Sequence, residues 1–159
     1  MSGPRVGFGY DAHRFGGQGP VILAGVAIEH DRGVIGTSDA DVASHAVCDA
    51  LLGAGALGDI GEFFPSDDPR WSGARSVEFV SACARKVREA GFEIGNVDVT
   101  VIAQSVRVSP HRLTMRENLA AALGVPLGDI SVKATTTDGL GWIGSGEGLA
   151  AHAVVGLYG

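Results

Sequence analysis

The sequence has 159 residues, 45% of them hydrophobic and 25 of them glycine, with a formal net charge of −6, and this length suits one domain with a substantial core. The negative charge and the scattered positions of the arginines and lysines argue against a nucleic-acid partner, because phosphate neutralisation needs clustered basic residues. No apolar run approaches the roughly 20 residues of a membrane span, and residues 1–5 lack the apolar core of a signal segment.

The predicted elements alternate between strands and helices along the chain. A first strand over residues 5–9 leads into Asp11 and His13, and a glycine-rich loop over 15–20 follows. A first helix is predicted from Ser38, as its N-cap, to about residue 52. The other predicted elements are a hairpin over 21–28, helices over 76–90 and 110–123, and strands over 97–103, 130–137 and 148–158.

This alternation predicts a single α/β (α+β) domain over residues 1–159. We expect a mixed sheet of about four long strands with helices on one face and a small hairpin beside it, in a ferredoxin-like arrangement. The last strand is apolar on both faces, which favours burial against another subunit, although burial within the chain would give the same pattern. Cys48 and Cys83 read as small buried side chains of a reducing compartment, so the prediction is a cytoplasmic protein.

Acidic and histidine side chains predict a metal site. Asp41, His45 and Asp49 share one face of the first helix, a pattern that would also fit a surface stripe or a core histidine satisfied by its neighbours. Asp11 and His13 point the same way in an extended chain. Together with His45 they form an Asp, His, His set, which suits zinc with an open fourth position for water or substrate.

Two loops carry a second pattern, one suited to phosphate and sugar. Lys133 and the threonines over 135–137 leave a strand before a run of glycines, and Asp138 beside them could hold Mg²⁺. Threonines that end a strand and glycines that make turns would look the same. The turn over 58–61 offers Asp59 with unhindered amides for ribose hydroxyls, or is a plain turn. Together the patterns predict a nucleotide-linked phosphate substrate and metal-assisted phosphoryl chemistry.

Several multi-residue motifs occur in order, and in them the chain resembles the 2-C-methyl-D-erythritol 2,4-cyclodiphosphate synthases, the cyclising lyases of the non-mevalonate isoprenoid pathway. The motifs are Asp11-Ala12-His13, Ser38-Asp39-Ala40-Asp41-Val42 with His45, Asp49-Ala50-Leu51-Leu52-Gly53, Gly58-Asp59-Ile60-Gly61, Phe64-Pro65, Asn96-Val97-Asp98-Val99-Thr100 with Ile102-Ala103-Gln104, and Lys133-Ala134-Thr135-Thr136-Thr137.

The resemblance implies a substrate, an assembly and metal sites. The substrate would be 4-diphosphocytidyl-2-C-methyl-D-erythritol 2-phosphate, and the protein a homotrimer with active sites between subunits. Asp11, His13 and His45 would bind zinc, with Asp41 and Asp49 nearby to orient His45 or its neighbours. The same resemblance places Mg²⁺ or Mn²⁺ on Asp138, bridging the α- and β-phosphates.

The resemblance also implies roles for the remaining site residues. Thr136 would contact phosphates and steady charge in the transition state, and Thr37 would be catalytic with it. Asp59 and Gly61 would hold sugar hydroxyls, and residues 103–109 with Ala134 and Thr135 would line a cytidine pocket. The complete implied substrate-binding set is Ser38, Asp59, Ile60, Gly61, Phe64, Asp68, Ala103, Gln104, Arg107, Val108, Ser109, Lys133, Ala134, Thr135, Trp142 and Ser145.

Four positions depart from the pattern of the family. Thr37 replaces a histidine and brings a hydroxyl without a positive charge, and Asp138 replaces a glutamate and would draw the magnesium closer to the loop. Ser145 and His152 stand where some members of the family have an arginine and a glutamate, around the central cavity of the trimer. The missing arginine argues against binding of an isoprenoid diphosphate there, whereas we expect catalysis to survive all four changes.

Three alternatives stay open at the level of sequence. A zinc-dependent phosphohydrolase would use the same ligands to activate water and would release free phosphate. A non-catalytic trimeric protein that binds zinc or a nucleotide would tolerate loss of Asp11 or His45 except in stability. The chain could also work fused or docked to a cytidylyltransferase, although the Met1 start favours a stand-alone chain.

Overall fold

A computed structural model describes residues 3–159; Met1 and Ser2, which belong to the predicted domain, lie outside the described residues. The strands are β1 (Arg5–Gln18), β2 (Val21–Leu23), β3 (Val26–Ile28), β4 (Arg32–Val34), β5 (Glu93–Ile102), β6 (Ile130–Thr135) and β7 (Gly148–Tyr158). The helices are α1 (Val42–Ala54), α2 (Ile60–Phe63), α3 (Ser76–Glu89), α4 (Arg112–Leu123) and α5 (Gly141–Gly144), with short 3₁₀ turns at Pro69–Trp71, Ser109–His111 and Leu127–Asp129.

The main sheet has five strands in the order β4-β1-β7-β5-β6, and β2 pairs with β3 in a separate two-stranded sheet. β5 and β6 are parallel, and the other neighbouring pairs are antiparallel. Helix α1 packs on β1 and β7, α3 packs on α1, and α4 packs on α3 and β6. The predicted mixed sheet of four long strands with a small hairpin is confirmed, and the short strand β4 is added at one edge.

Helix α1 lies unusually close to strand β1, and this contact positions the candidate metal ligands. A Cβ atom on Gly7 would fall on the carbonyl oxygen of Ala50, and one on Gly9 would fall on that of Ala46. Only glycine permits such an approach. The inward positions of β1 continue after Gly9 with Asp11 and His13, so the ligands follow directly along the seam between helix and strand.

Some predicted boundaries were wrong. β1 continues through Gln18, because the glycine-rich segment pairs with β4 instead of forming a loop. α1 begins at Val42, because the side chain of Asp41, not Ser38, accepts the amide N–H of Ser44 as N-cap. β6 ends at Thr135, two residues before its predicted end, and β5 begins at Glu93, four residues before its predicted start.

Both cysteines lie in the core. Cys48 and Cys83 are both fully buried free thiols, as expected. No helix within residues 3–159 combines the length and the apolar character needed to cross a membrane.

Candidate active site

Asp11, His13 and His45 meet where β1 passes the first turn of α1. Their ligand atoms lie within 4.8 Å of one another, so the triad could hold a metal ion. Asp11 Oδ2 is 3.1 Å from His13 Nε2 and 3.0 Å from His45 Nδ1. Each of the three side chains is partly exposed, which leaves an approach for a further ligand.

The hydrogen bonds around the triad suit a cation. His13 Nδ1 lies 2.8 Å from the carbonyl oxygen of Ile35, which can only accept, so Nδ1 carries a proton there. In the neutral ring, the lone pair of Nε2 then faces a carboxylate oxygen of Asp11, and two acceptors are in contact. A proton or a metal ion between them removes this conflict, and an Asp, His, His set is a known zinc arrangement.

The pKa shifts of Asp11 and His13 reflect the close contacts between the three side chains. Burial opposes ionisation of Asp11, but hydrogen bonds and charges from His13 and His45 outweigh it and hold the pKa of Asp11 below its ordinary value. The hydrogen bond with Asp11 raises the pKa of His13 above the ordinary value, against the effect of partial burial. Metal binding would replace the proton of His13, so metal affinity should fall with acidification.

A cavity of about 190 Å³ opens beside the triad. His13 and His45 form part of its wall, and Phe64, Trp71 and Phe79 supply an aromatic side. Phe64 stacks on Phe79 with ring centroids 4.2 Å apart, so this side is rigidly packed. The structure places five of the predicted catalytic and binding residues in the wall: Thr37, Ser38, Ile60, Gly61 and Phe64. The Thr37 hydroxyl donates to the carbonyl of Ser66, 2.9 Å away.

A larger cavity of about 450 Å³ lies where the parallel strands β5 and β6 end. The amide N–H of Ala103 donates to the carbonyl of Thr135 at 3.0 Å, which ties its two walls together. The predicted residues that the structure brings together here are Ala103, Gln104, Arg107, Val108 and Ser109 from one segment, with Ala134, Thr135 and Thr136 from the other. The carboxyl ends of parallel strands are common ligand positions in α/β sheets.

Asp138 lies on a loop that two hydrogen bonds fasten to residues in the wall of this larger cavity. Its amide N–H donates to Thr136 Oγ1 at 3.2 Å, and the amide of Gly139 donates to Gln104 Oε1 at 3.2 Å. The Asp138 carboxylate is exposed, and its backbone has a positive φ of 57°. The loop is therefore fastened to the residues that line the cavity.

The other predicted site residues lie outside both cavity walls. Lys133 Nζ pairs with Asp98 at 2.8 Å on the sheet face away from the helices. Asp59 caps α2 by accepting the amide of Glu62. Asp68 pairs with Arg70 at 2.6 Å. Trp142 lines a separate pocket with His13, and Ser145 donates to the Trp142 carbonyl at 3.2 Å.

The two carboxylates predicted to flank His45 act on backbone amides instead. Asp41 is fully buried and accepts from the amides of Ala24, Gly25 and Ser44, and burial raises its pKa. Asp49 accepts the amide of Ile60 at 2.8 Å, which fixes the start of α2, and burial raises its pKa as well. Among the bonds described for residues 3–159, neither carboxylate contacts the His45 imidazole; Asp41 meets His45 only through its main-chain carbonyl, which accepts the His45 amide at 3.1 Å.

The sequence analysis did not identify two residues beside His45: Ser76, which contacts its ring, and Asp39, which is linked to it through Ser76. Ser76 Oγ lies 2.7 Å from His45 Nε2, and Asp39 accepts hydrogen bonds from the hydroxyl and the amide of Ser76. Ser38 Oγ is a third neighbour, 3.2 Å from His45 Nε2. Ser76 is 31 residues from His45 in the chain, so no local pattern could have revealed this contact.

Comparison with known proteins adds family information. The model of the YgbB family matches residues 4–158. Proteins named 2-C-methyl-D-erythritol 2,4-cyclodiphosphate synthase from Erwinia tasmaniensis and Escherichia coli are 50% and 51% identical over 150 residues. The first alignment covers 94% of this chain and 96% of the relative, and the second covers 94% of each.

Solved structures agree with the sequence relatives. The bifunctional IspDF from Campylobacter jejuni has a TM-score of 0.94 at 43% identity; the match covers 98% of this chain and 42% of that longer one. The CDP complex of IspF from Plasmodium falciparum has a TM-score of 0.86 at 32% identity, covering 99% of this chain and 97% of that one.

Proposed function

The chain belongs to the YgbB family, and we propose that it catalyses the cyclisation for which its relatives are named. These relatives are 2-C-methyl-D-erythritol 2,4-cyclodiphosphate synthases, lyases of the non-mevalonate isoprenoid pathway. An oxygen of the 2-phosphate of 4-diphosphocytidyl-2-C-methyl-D-erythritol 2-phosphate attacks the β-phosphorus of the diphosphate. The bond from that phosphorus to the bridging oxygen breaks, the ring of 2-C-methyl-D-erythritol 2,4-cyclodiphosphate closes, and CMP leaves with the bridging oxygen. The observation that carries this proposal is the Asp11, His13, His45 triad at the wall of a cavity.

Metal ions complete the proposed site. Asp11, His13 and His45 would hold zinc, and Asp138 would hold Mg²⁺ or Mn²⁺ together with the substrate diphosphate. When bound, these ions supply positive charge that offsets the repulsion between the attacking phosphate and the diphosphate. The chain needs no general base, because the attacking phosphate is already ionised near neutral pH.

The larger cavity is the proposed cytidine site. Its size and its position at the ends of β5 and β6 suit a nucleoside. Thr136 Oγ1 accepts the amide of Asp138, so its own proton is free to donate to a phosphate oxygen. The CDP bound by the Plasmodium falciparum relative supports this assignment.

The smaller cavity is the proposed site of the methylerythritol. Its aromatic side, with Phe64 and Phe79, excludes water from the carbon chain, and Ser38 presents a hydroxyl near the triad. This arrangement would hold the 2-phosphate near the metal ligands and limit competing attack by water. Asp59, at the start of α2, would reach the sugar hydroxyls from the adjoining turn.

We further propose that the enzyme is a homotrimer in the cytoplasm with sites between subunits. Strand β7 lies between β1, which carries two residues of the triad, and strands β5 and β6, at whose ends the cytidine site lies; the spacing is about 10–14 Å at roughly 4.8 Å per strand. The sheet face opposite the helices exposes apolar side chains on β1 and β7, namely Val6, Phe8, Tyr10, Val154 and Tyr158. Two further copies would cover this face and bring a triad to a neighbour's cytidine site. The buried free thiols fit a reducing compartment.

Product analysis tests the reaction. Protein treated with a chelator is refilled with zinc, magnesium or both, and the diphosphocytidyl substrate is followed by phosphorus NMR. We expect equal amounts of CMP and the cyclic diphosphate with both metals, and neither product from His45→Ala. Inorganic phosphate without a ring would instead identify a zinc-dependent phosphohydrolase, and bound nucleotide without turnover would identify a binding protein.

A further inference from the structure

A chain of hydrogen bonds leads from His45 away from the candidate metal position. His45 Nε2 lies 2.7 Å from Ser76 Oγ, and Ser76 Oγ lies 2.5 Å from Asp39 Oδ1. The other oxygen of Asp39 accepts the amide N–H of Ser76 at 3.1 Å. Ser76 is fully buried, so water does not compete for its hydroxyl.

The direction of the protons in this chain follows from the groups themselves. A carboxylate only accepts, so the single hydroxyl proton of Ser76 goes to Asp39. Ser76 Oγ then offers only lone pairs to His45, and Nε2 must be the donor. A neutral imidazole that is protonated on Nε2 has its lone pair on Nδ1, and Nδ1 is the atom 3.0 Å from Asp11 Oδ2.

We propose that Asp39 and Ser76 are positioning residues that hold His45 with its proton on Nε2 and its Nδ1 lone pair toward the metal. The inference rests on the metal site in the proposed function and adds the groups that prepare one of its ligands. Outer hydrogen bonds of this kind fix the tautomer and the ring orientation of metal-binding histidines.

The two metal-binding histidines differ in what orients them, and only the partners of His45 can be removed by mutation. His13 is oriented by the main-chain carbonyl of Ile35, which no substitution removes. The Nε2 side of His45 faces side chains only: Ser76 Oγ at 2.7 Å, with Asp39 behind it, and the more distant Ser38 Oγ at 3.2 Å. Asp39 is itself held in place by the amides of Asp41 and Ser76, which donate to it. Asp39 therefore acts through Ser76 and does not touch the metal position.

Metal affinity gives the first test. Zinc binding to the chelator-treated protein is measured by competition with a chromophoric chelator in wild type, Ser76→Ala and Ser44→Ala. Ser44 is a matched control, because it is also fully buried and also donates its hydroxyl to an aspartate, Asp41, at 2.7 Å. We expect Ser76→Ala to weaken zinc binding about 10- to 100-fold and Ser44→Ala to leave it near the wild-type value.

The imidazole proton gives the second test, independent of turnover. In zinc-loaded protein labelled with ¹⁵N-histidine, we expect His45 to show a slowly exchanging proton on Nε2. This proton should exchange faster in Ser76→Ala and stay protected in Ser44→Ala. Equal zinc affinity in the two variants, or a His45 proton on Nδ1 in the wild type, would overturn the inference.

These outcomes are separable from failure of the proposed function. A wild type that binds zinc but forms no cyclic product would contradict the proposed reaction and leave the ranking of zinc affinities intact. A wild type that binds no zinc would contradict the metal site and with it the proposed positioning role of Asp39 and Ser76.

Discussion

At the scale of single residues, Asp41 is the carboxylate on which the entry to α1 depends. Each of its oxygens accepts two hydrogen bonds: Oδ1 from the amides of Ala24 and Ser44, and Oδ2 from the amide of Gly25 and the hydroxyl of Ser44. Asp41 is fully buried, as are Ala24 and Ser44, so the donors of these two residues have no access to water. Asp41 therefore joins the β2–β3 turn to the first turn of the helix that carries His45.

Asp41→Asn should lower the free energy of unfolding by about 2–4 kcal/mol. Whichever way the amide is turned, its NH₂ group faces at least one main-chain N–H, and that buried donor loses its acceptor. The measurement is urea unfolding, read as a lower midpoint at an unchanged slope. Asp67→Asn, at an exposed position, is the control and should stay within about 0.5 kcal/mol of wild type; an equal loss in both variants would contradict the role of Asp41.

Cys48 and Cys83 should resist thiol reagents until the protein unfolds. Both are fully buried, and burial, followed by the proximity of Cys83, raises the pKa of Cys48 well above the ordinary value for a thiol. The reactive thiolate is therefore scarce and shielded. Labelling with an aromatic disulfide should be orders of magnitude slower in native protein than in denaturant. Rapid labelling of the native protein would show that α1 and α3 open readily.

Single-residue reasoning from the sequence succeeded where the ligands lie close in the chain. Asp11 and His13 are two residues apart on a strand, and their common direction is fixed by extended backbone. The neighbours of His45 could not be predicted in the same way. Asp41 and Asp49 have the right helical spacing, but they satisfy amides of other segments, while Ser76 arrives from α3 through tertiary packing.

At the scale of elements, the seam between β1 and α1 sets the geometry of the triad. Gly9 allows the helix backbone to approach, and one residue pair further along, Asp11 faces His45 at 3.0 Å. A change of about one methyl group in this seam moves the helix that carries His45 relative to the strand that carries the other two ligands. Stability and metal affinity are therefore coupled through the packing of two elements.

Gly9→Ala should lower both the free energy of unfolding, by about 1–3 kcal/mol, and the affinity for zinc. The added Cβ would fall on the Ala46 carbonyl, and the helix must shift. Gly53→Ala is the control: Gly53 lies on α1, the helix that must shift in Gly9→Ala, and a Cβ on Gly53 meets open space. It should raise stability by about 0.5–1 kcal/mol and leave zinc affinity unchanged. Denaturant unfolding and chelator competition check both variants; unchanged zinc affinity in Gly9→Ala would contradict the coupling.

Element boundaries were predictable where a periodic pattern decides them. α3 was expected over 76–90 and spans Ser76–Glu89, because its apolar face repeats with the helical period. The end of β1 was missed, because its glycines resemble a loop and its pairing partner, β4, is too short to be recognised locally. Sheet partners far apart in sequence supply the hydrogen bonds that the local pattern does not encode.

At the scale of the whole molecule, the sheet has one covered and one open face. Phe8 and Tyr10 alternate on β1 with the buried glycines and sit edge-on to His152 of β7. Phe8 is 59% exposed in the single chain, which is unusual for an aromatic side chain within a sheet. Val154 and Tyr158 of β7, the strand predicted to be apolar on both faces, are also exposed on this side. The proposed cover of this apolar surface is a neighbouring subunit.

Phe8→Asp should convert the proposed trimer to monomers. A charge at the centre of the apolar face would have to be desolvated on assembly. Light scattering of the wild type should give about three times the chain mass of 16.2 kDa, and the variant should give the mass of one chain. Leu113→Asp, at a position of similar exposure on α4, should leave the wild-type mass. A monomeric wild type would contradict the assembly.

Mixed trimers test whether each site lies between subunits. His45→Ala removes a ligand of the triad, and Ala134→Trp fills the larger cavity from an exposed position; each variant alone should be inactive. Co-expressed with different tags and purified through both, every mixed trimer contains one interface that pairs an intact triad with an intact cytidine site. Turnover per trimer should then recover to about one third of wild type. If the triad and the cytidine site of one subunit acted together, no combination of the two variants would restore cyclisation.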